Sequence, residues 1–353
     1  MHYGSRKAVA KCGWRYRLEP MDHRLQAALE KWDCSNPQAL SGDAGARRYY
    51  RVDHPLLGSA LVVLYPPADP ASADDAYYEY RALQAYLDPV VRVPTIIQFD
   101  DELRAMLLED LGRTTLEMRL TAHPEEEVQW AQEAARLLAT WLGLLTEAAP
   151  GRAFFMLRRF DQPKFQFEWN YCKENFFAGF LQKDPPLWLD RMMEEIHAGL
   201  DSRTHFLVHR DFHVRNLMVH GDRLITLDFQ DARKGAATYD LASIMFDGYW
   251  DWSEEAREAL IGGVREELGW SETLLWEELN LSAIQRNFKA LGTFAHQVVH
   301  QNKPHFAPAI PRTLRHLLGH FQRTRQGEAV LAVEHWLRLS EKRLLKTAGG
   351  GQD

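Results

Sequence analysis

The most constraining feature of this 353-residue sequence is a pair of short apolar segments on either side of a Gly-Asp turn. Residues 217–219 and 224–227 are rich in β-forming side chains, so the pattern predicts a hairpin. The hairpin would bring Asn216 and Asp228 close together, and Asp211 lies on the loop that enters it. Hard oxygen donors of this kind, without a Cys or His cluster beside them, suit Mg²⁺ better than zinc.

The spacing of these side chains indicates phosphoryl transfer. In the kinase pattern H-R-D-x-x-x-x-N the Asp accepts the proton of the attacking hydroxyl and the Asn holds metal, and the Asp of a later D-F-G is the second metal ligand. Residues 209–211 and Asn216 match this spacing, and residues 228–230 depart from it only at the glycine. The alternative is an ordinary hairpin, since Asp and Asn are common in turns. We therefore predict Asp211 as the base and Asn216 and Asp228 as magnesium ligands.

At these residues the chain resembles the aminoglycoside phosphotransferase-like kinases. His213 stands where their catalytic loop has a second His, and the resemblance implies that it donates a hydrogen bond or positive charge to the transferring group. Within that superfamily the chain is similar to the anomeric kinases for N-acetylmuramate and N-acetylglucosamine of bacterial cell-wall recycling. Five fragments carry this similarity: Arg47-Arg-Tyr-Tyr-Arg51, Leu108-Glu-Asp-Leu-Gly112, residues 209–219, Asp228-Phe-Gln-Asp231 and Gln285-Arg-Asn-Phe-Lys-Ala-Leu-Gly292.

The resemblance implies an α+β, protein-kinase-like fold with two lobes. A small N-lobe with an antiparallel sheet, residues 21–110, would cover the nucleotide. A larger and mostly helical C-lobe, residues 111–345, would hold the catalytic loop and the substrate site. The length agrees with two lobes, because one core rarely grows beyond about 250 to 300 residues. We expect residues 1–20 to be a disordered extension and residues 346–353 a flexible tail.

Nucleotide binding is predicted at two places. The small-residue turn at residues 41–46 precedes two strand-like segments, and small residues let backbone N–H groups approach phosphates closely. Because this turn would cover the phosphates of ATP in a kinase, we predict Ser41, Arg47 and Arg48 as phosphate-binding residues. By resemblance, Glu109 and Leu111 belong to the hinge that holds the adenine ring through backbone groups.

One departure from the kinase pattern leaves two alternatives open. Kinases place a Lys on the third strand to hold the α and β phosphates, yet no lysine lies between Lys31 and Lys164. Either an arginine among Arg47, Arg48 and Arg51 supplies the charge, or the chain is a pseudokinase that binds nucleotide without turnover. The retained acidic and amide residues of the catalytic loop favour an active enzyme.

Several other side chains carry weaker expectations. Asp240 either accepts backbone hydrogen bonds from the catalytic loop or caps a helix that begins near residue 241. Glu79, on a predicted helix over residues 74–87, is expected to be solvated. Arg210 or Arg215 either meets the carboxylate of a substrate or is structural.

The remaining pattern is helical and aromatic. Apolar residues recur at steps of three and four over residues 126–149, which predicts a long core helix. The aromatic residues of 165–181 are expected to be mostly core, and those of 244–252 are candidates for a substrate wall. Residues 271–281 and 282–300 are predicted as two further helices.

Composition excludes several classes of protein. The net charge of −7 argues against a nucleic-acid-binding protein, which would show a basic face. No run approaches the roughly 18 apolar residues of a membrane span. The 3 cysteines lack C-x-x-C spacing and indicate free thiols in a reducing cytoplasm. We expect a cytoplasmic enzyme without an obligate protein partner.

The sequence thus predicts a kinase that uses ATP and Mg²⁺ to phosphorylate a hydroxyl of an amino sugar. The resemblance implies that this is the anomeric hydroxyl of N-acetylmuramate or N-acetylglucosamine. The alternatives are a kinase for another small hydroxyl compound, such as an aminoglycoside, choline or homoserine, and a catalytically silent nucleotide-binding protein.

Overall fold

The computed structural model describes residues 22–40, 47–68, 75–144, 158–203 and 205–349. The predicted extension at residues 1–20, the candidate phosphate-binding residue Ser41 and the last four residues lie outside these ranges. The chain divides into two compact units. The described parts of Met1–Pro67, with Ile96–Asp110, form the first unit, and those of Ala68–Thr95, with Leu111–Asp353, form the second.

The first unit is an antiparallel sheet with one helix packed on it. Its helix is α1 (His23–Lys31), which begins after the N-cap Asp22. Its strands are β1 (Ser35–Leu40), β2 (Arg48–His54), β3 (Gly58–Leu64), β4 (Ile96–Asp100) and β5 (Ala105–Glu109). They pair in the order β1-β2-β3-β5-β4. Apolar residues of α1 pack against the inner face of the sheet, with Leu25, Ala28 and Trp32 buried among Val62 and Leu107.

Strand β1 was missed by the sequence analysis, for a local reason. It contains Pro37, which cannot donate to a ladder, and its register shifts between Ser35 and Gln38. A strand at the edge of a sheet tolerates both defects, because only one of its sides must be paired. The alternation that predicts a strand is therefore weak in Ser35–Leu40.

The second unit contains the predicted hairpin. Strands β7 (Leu217–His220) and β8 (Arg223–Thr226) are antiparallel, with Leu217 opposite Thr226. A second small ladder joins β6 (Phe206–Val208) to β9 (Arg233–Gly235). The two ladders flank the segment that contains Asp211 and Asn216.

Helices make up the rest of the second unit within the described ranges. In chain order they are α2 (Ala76–Leu87), α3 (Leu116–Ala122), α4 (Glu127–Leu142), α5 (Gln162–Cys172), α6 (Leu187–Asp201), α7 (Tyr239–Met245), α8 (Glu254–Leu268), α9 (Glu272–Val299), α10 (Ala309–Arg323) and α11 (Gly327–Gly349). A π-helical segment, Lys173–Leu181, continues α5. Helix α2 belongs to the second unit.

Two helix predictions were wrong in their bounds. The two helices predicted over residues 271–300 are one continuous helix, α9. Ser282, the predicted boundary, is buried and its hydroxyl contacts Thr238 Oγ1 at 2.9 Å instead of capping a new helix. Helix α11 continues to Gly349, so residues 346–349 of the expected tail are helical, and residues 350–353 lie outside the described residues.

The core of the second unit is aromatic, as predicted for residues 165–181. The side chains of Phe165, Trp169, Phe176, Phe177 and Phe180 are all buried in one cluster that also includes residues of α9, α10 and α11. Among the described residues, no helix is both long and apolar enough to cross a membrane.

Candidate active site

Asp240, at the start of α7, anchors the entrance of the catalytic loop. Its carboxylate accepts the backbone N–H of His209 at 2.6 Å and that of Arg210 at 2.9 Å. Helix α7 begins at Tyr239 with Thr238 as its N-cap residue, so Asp240 is not the cap. Burial raises the pKa of Asp240 to about 6, against the effect of His209 and of the two N–H groups. The prediction that Asp240 steadies the loop is confirmed.

A tight turn then brings three of the predicted residues together. The backbone carbonyl of Asp211 accepts hydrogen bonds from the N–H of His213 at 3.0 Å and from Nδ2 of Asn216 at 2.9 Å. The carbonyl of His213 accepts the N–H of Asn216 at 2.9 Å. These bonds leave the carboxylate of Asp211 and the amide oxygen of Asn216 as the groups that are available for chemistry.

Asp228 is attached to this turn through its neighbour Leu227. The N–H of Leu227 donates to the carbonyl of Asn216 at 2.8 Å, and Nε2 of the buried His209 donates to the carbonyl of Leu227 at 2.7 Å. Asp228 itself adopts a left-handed backbone (φ 59°), and Gln230 Nε2 donates to its Oδ1 at 2.8 Å. Left-handed backbone is unfavourable for a residue with a side chain and is frequently found at functional sites.

Cations surround the carboxylate of Asp211. Nζ of Lys289 donates to Asp211 Oδ1 at 2.5 Å, and Nη2 of Arg286 lies 3.8 Å from the same oxygen. Both cations project from one face of α9, since they are one turn apart. Burial alone would raise the pKa of Asp211, but Lys289, Arg210 and Arg286 together hold it well below the ordinary value. The carboxylate is therefore ionised at neutral pH.

His213 lies beside this carboxylate against an aromatic wall. Its ring meets that of Tyr249 edge to face, with 5.2 Å between centroids. Burial lowers the pKa of His213 to about 3, so the ring is neutral at pH 7. We predicted that His213 donates either a hydrogen bond or a positive charge to the transferring group. A neutral ring agrees with the hydrogen bond and not with the positive charge.

The aromatic residues of 244–252 divide by position. Tyr249 lines the site through its contact with His213. The indole N–H of Trp250 donates to Glu127 at 2.8 Å and that of Trp252 to the carbonyl of Ile244 at 2.8 Å. Within the described residues, Tyr249 is thus the member of this group that contacts the catalytic loop.

The oxygen atoms of Asn216 and Asp228 fit a magnesium ion. An amide oxygen and a carboxylate are hard donors, and Mg²⁺ is commonly held by one or two such protein ligands, with water and phosphate oxygens completing its shell. Among the described residues, one group of His and Glu side chains lies close enough together to share an ion: His123, Glu125 and Glu126. Its Glu126 is engaged by Arg119 and Trp130.

Both arginines considered for a substrate carboxylate are held by protein carboxylates. Arg215 donates Nε and Nη2 to Glu117 at 2.8 and 2.9 Å, and its guanidinium lies 3.8 Å from the ring centroid of Tyr249. Arg210 lies between Glu168, at 3.4 Å, and Asp231, at 3.5 Å. These contacts favour the structural alternative for both.

The expectation for Glu79 was wrong. Its side chain is buried and forms an ion pair with Arg158. The neighbouring Tyr80 ring lies 4.7 Å from that of Phe229. Helix α2 is therefore fastened to the segment that follows Asp228.

The predicted nucleotide-binding residues are placed as follows. Arg48 begins β2 and pairs with Asp22 at 3.1 Å, although its side chain is 58% exposed. The guanidinium of Arg47 lies 5.9 Å from the ring centroid of Tyr49. Glu109 ends β5. Leu111, in the second unit, is buried against Met218 and Ile225 of the hairpin.

Arg51, the third arginine considered as a substitute for the missing lysine, is engaged elsewhere. Its Nε and Nη2 donate to the two carboxylate oxygens of Asp110 at 2.6 and 2.8 Å. A bidentate pair of this kind holds the guanidinium in a fixed plane. Arg51 is therefore the least available of the three for a phosphate.

Sequence reasoning missed three residues of the site. Lys289 and Arg286 lie in a fragment that carried the resemblance, but no role was assigned to them. The sequence does place these two cations one turn apart on a largely buried helix. Because charged side chains are seldom buried without a partner, this pattern could have indicated that they pair with a buried carboxylate. Asp247 was also missed; its carboxylate accepts the N–H groups of Val214 at 3.1 Å and Tyr249 at 2.9 Å.

Comparison with known proteins agrees with this geometry. Residues 37–280 match the phosphotransferase enzyme family. The chain is 32% identical over 291 residues to the N-acetylmuramate/N-acetylglucosamine kinase of Neisseria meningitidis serogroup B, a match that covers 78% of this chain and 83% of that protein.

Solved structures show the fold. A microcompartment-associated aminopropanol kinase superposes with a TM-score of 0.59 at 17% identity and covers 84% of this chain and 97% of its own. An ADP-bound aminoglycoside phosphotransferase superposes with a TM-score of 0.52 at 13% identity, with the same shares covered. The predicted α+β, protein-kinase-like fold is confirmed. This chain belongs to the phosphotransferase enzyme family and is a small-molecule phosphotransferase with a hydroxyl group as acceptor.

Proposed function

We propose that this enzyme transfers the γ-phosphoryl group of ATP to the anomeric hydroxyl of N-acetylmuramate or N-acetylglucosamine. The names of its curated relatives support an amino sugar as acceptor. The observation that carries the chemistry is the turn that holds Asp211 beside Asn216, with Asp228 attached through Leu227. Because ATP is the donor and the described cysteines are free thiols, we place the reaction in the cytoplasm.

In this proposal each side chain has one task. Asp211 accepts the proton of the acceptor hydroxyl, and the neutral ring of His213 donates a hydrogen bond to the transferring group. Asn216 and Asp228 hold Mg²⁺, which when bound neutralises charge on the phosphate oxygens. Ser41, Arg47 and Arg48 are proposed to contact the phosphates, and Glu109 and Leu111 to contact adenine. Positioning and charge stabilisation supply most of the acceleration.

The ion pair on Asp211 agrees with an anomeric hydroxyl. A carboxylate whose pKa is held well below its ordinary value is a weak base. The anomeric hydroxyl is more acidic than a simple alcohol, so a weak base is sufficient to receive its proton.

The predicted alternative, a catalytically silent nucleotide-binding protein, disagrees with the phosphotransferase assignment above, although one observation points to it. Strand β3 carries no lysine, and Arg51 is engaged with Asp110. This candidate predicts ATP binding without turnover on any acceptor.

The test is a transfer assay with Mg-ATP and purified protein. The acceptors are N-acetylmuramate, N-acetylglucosamine, its 1-O-methyl glycoside, an aminoglycoside, choline and homoserine. We expect phosphate on the two free sugars and none on the glycoside, which lacks the anomeric hydroxyl. Asp211→Asn should lower turnover by about 10²-fold to 10⁴-fold. Phosphorylation of the glycoside would overturn the anomeric position, and binding of ATP without transfer would favour the silent protein.

The metal ligands are tested in the same assay. Asn216→Ala and Asp228→Ala should raise the Mg²⁺ concentration that gives half-maximal turnover, because each removes an oxygen donor. Asp222→Asn, in the exposed hairpin turn, is the matched control and should leave that concentration unchanged. An unchanged requirement for Mg²⁺ in both alanine variants would remove these residues from the metal site.

A further inference from the structure

Among the described side chains that contact the carboxylate of the proposed base, Lys289 lies closest. Its Nζ lies 2.5 Å from Oδ1 of Asp211, and the Lys289 side chain is only 16% exposed. Arg286, one turn earlier on α9, directs Nη2 to the same oxygen at 3.8 Å. All of the cation contacts described for this carboxylate therefore fall on Oδ1.

The helix that carries Lys289 is held firmly in place. Arg286 Nε donates to Ser243 Oγ of α7 at 3.0 Å, and Gln285 Nε2 donates to Glu168 of α5 at 2.9 Å. At Gly292 the helix lies so close to α5 that an added Cβ would be 2.9 Å from the Cα of Cys172. Lys289 thus projects from a rigid helix. A residue that orients another side chain needs such a support, because its own position must be fixed.

The other carboxylate oxygen, Oδ2, accepts no hydrogen bond from the described residues. The Asp211 side chain remains 28% exposed although one of its oxygens is held by two cations. A carboxylate fixed by one oxygen cannot rotate freely, so its second oxygen keeps one direction. A base must have its acceptor hydroxyl within hydrogen-bond reach.

We propose that Lys289 is a positioning residue for Asp211, holding Oδ1 so that Oδ2 is presented to the acceptor hydroxyl. This inference rests on the proposed function. In kinases with the pattern H-R-D-x-x-x-x-N the base is part of a local loop; here a helix far along the chain completes its orientation. Arg286 supports Lys289 by filling the same side of the carboxylate.

The charged and titratable groups around this pair do not substitute for Lys289. Arg210 precedes the base but is paired with Glu168 and Asp231. His213 is neutral, and the phenol of Tyr239, whose pKa is raised by burial, is neutral as well. Because Lys289 makes the shortest contact with the carboxylate and Arg286 lies farther away, removing Lys289 should loosen Oδ1 the most.

The kinetic test uses Lys289→Met, which keeps the length of the side chain without its charge, and Lys289→Arg, which keeps a charge. We expect Lys289→Met to lower kcat by about 10²-fold, the typical cost of a small misplacement of a reacting group, with the KM for the sugar and for ATP changed much less. Lys289→Arg should recover at least part of the loss. Lys173→Met is the matched control, since Lys173 is another half-buried lysine, paired with Asp190 at 3.0 Å; it should retain full kcat.

A double-mutant cycle shows whether Lys289 acts through Asp211. If it does, Lys289→Met combined with Asp211→Asn should be no slower than Asp211→Asn alone, because there is no longer a base to orient. Losses that multiply, an unchanged kcat in Lys289→Met, or an effect confined to the sugar KM would each overturn the proposal.

Chemical unfolding of the four proteins of this cycle, the wild type, the two single variants and the double variant, separates this inference from the proposed function. Removing Lys289 leaves the buried carboxylate of Asp211 without its nearest cation, so Lys289→Met should unfold at lower denaturant than the double variant. If the wild type transfers phosphate to no acceptor, the proposed function fails whatever the cycle shows, and Lys289 is left with a structural role only. If transfer occurs but the unfolding cycle shows no coupling, the Lys289–Asp211 contact itself is rejected.

Discussion

The ring of His209 donates a hydrogen bond from Nε2 to the backbone carbonyl of Leu227, 2.7 Å away. This bond joins the loop of the proposed base to the residue that precedes Asp228. The ring is fully buried and meets Trp141 edge to face at 5.4 Å. The His209 side chain therefore adds a second link between the two halves of the proposed site, beside the bond from the Leu227 N–H to the Asn216 carbonyl.

We expect His209→Leu to separate these halves. The substitution keeps most of the volume but leaves the Leu227 carbonyl without its donor, which costs about 1 to 3 kcal/mol. Turnover should fall more steeply than stability, because Asp228 is no longer held beside the turn. Denaturant unfolding and the transfer assay measure the two effects. A variant with normal turnover would show that this bond does not position the site.

His197 provides the matched comparison. It is fully buried and stacks on Phe165 at 5.3 Å, and neither ring nitrogen has a hydrogen-bond partner among the described residues. Replacing such a residue by an apolar one of similar shape is nearly neutral or stabilising. His197→Leu should retain turnover and the wild-type free energy of unfolding at pH 7, or exceed it.

The same variant has a predictable pH dependence. Burial lowers the pKa of His197 to about 4, below the 6.5 of an unfolded histidine. Between these values the unfolded state binds more protons, so the wild type loses stability as the pH falls. His197→Leu lacks this loss, and its advantage should grow below pH 6.5 by up to about 1.4 kcal/mol per pH unit. Parallel stability curves for the two proteins would contradict the assignment.

Gly292 tests the close contact of two helices. An added Cβ would lie 2.9 Å from Cα and 3.1 Å from N of Cys172, and backbone atoms cannot move aside easily. We expect Gly292→Ala to destabilise the protein by about 1 to 3 kcal/mol and to lower kcat, because α9 carries Lys289.

Gly262, in α8, is the control for that substitution. An added Cβ there meets nothing within 4 Å. Gly262→Ala should stabilise the protein by up to about 1 kcal/mol, through better helix propensity, with turnover unchanged. Thermal unfolding of the two variants should thus shift in opposite directions, and a shift in the same direction would disprove the packing argument.

The features predicted correctly from the sequence are local ones. The hairpin depends on two β-rich segments and a Gly-Asp turn, so residues a few positions apart are sufficient to indicate it. The spacing of Asp211 and Asn216 is likewise contained in one loop. For Asp240 the sequence left two alternatives, an acceptor of backbone hydrogen bonds from the catalytic loop or a helix N-cap. The structure decided between them, because α7 begins before Asp240 and Asp240 is therefore not the N-cap.

The features that were missed depend on residues distant along the chain. Lys289 reaches Asp211 from another helix, and Arg158 pairs with Glu79, which was expected to be solvated. Strand β1 is found through its neighbour in the sheet, because Pro37 obscures its own pattern. Nothing in the spacing of such residues indicates that they meet.

The sequence by itself determined the chemistry available to this protein, since a base, an amide and a carboxylate at kinase spacing are a property of neighbouring residues. Only the tertiary structure decided the electrostatic setting of that base, because two of the cations that hold Asp211 ionised, Lys289 and Arg286, come from α9. Charge acts through space and not along the chain, so the ionisation and orientation of a buried carboxylate are set by whichever elements pack against it.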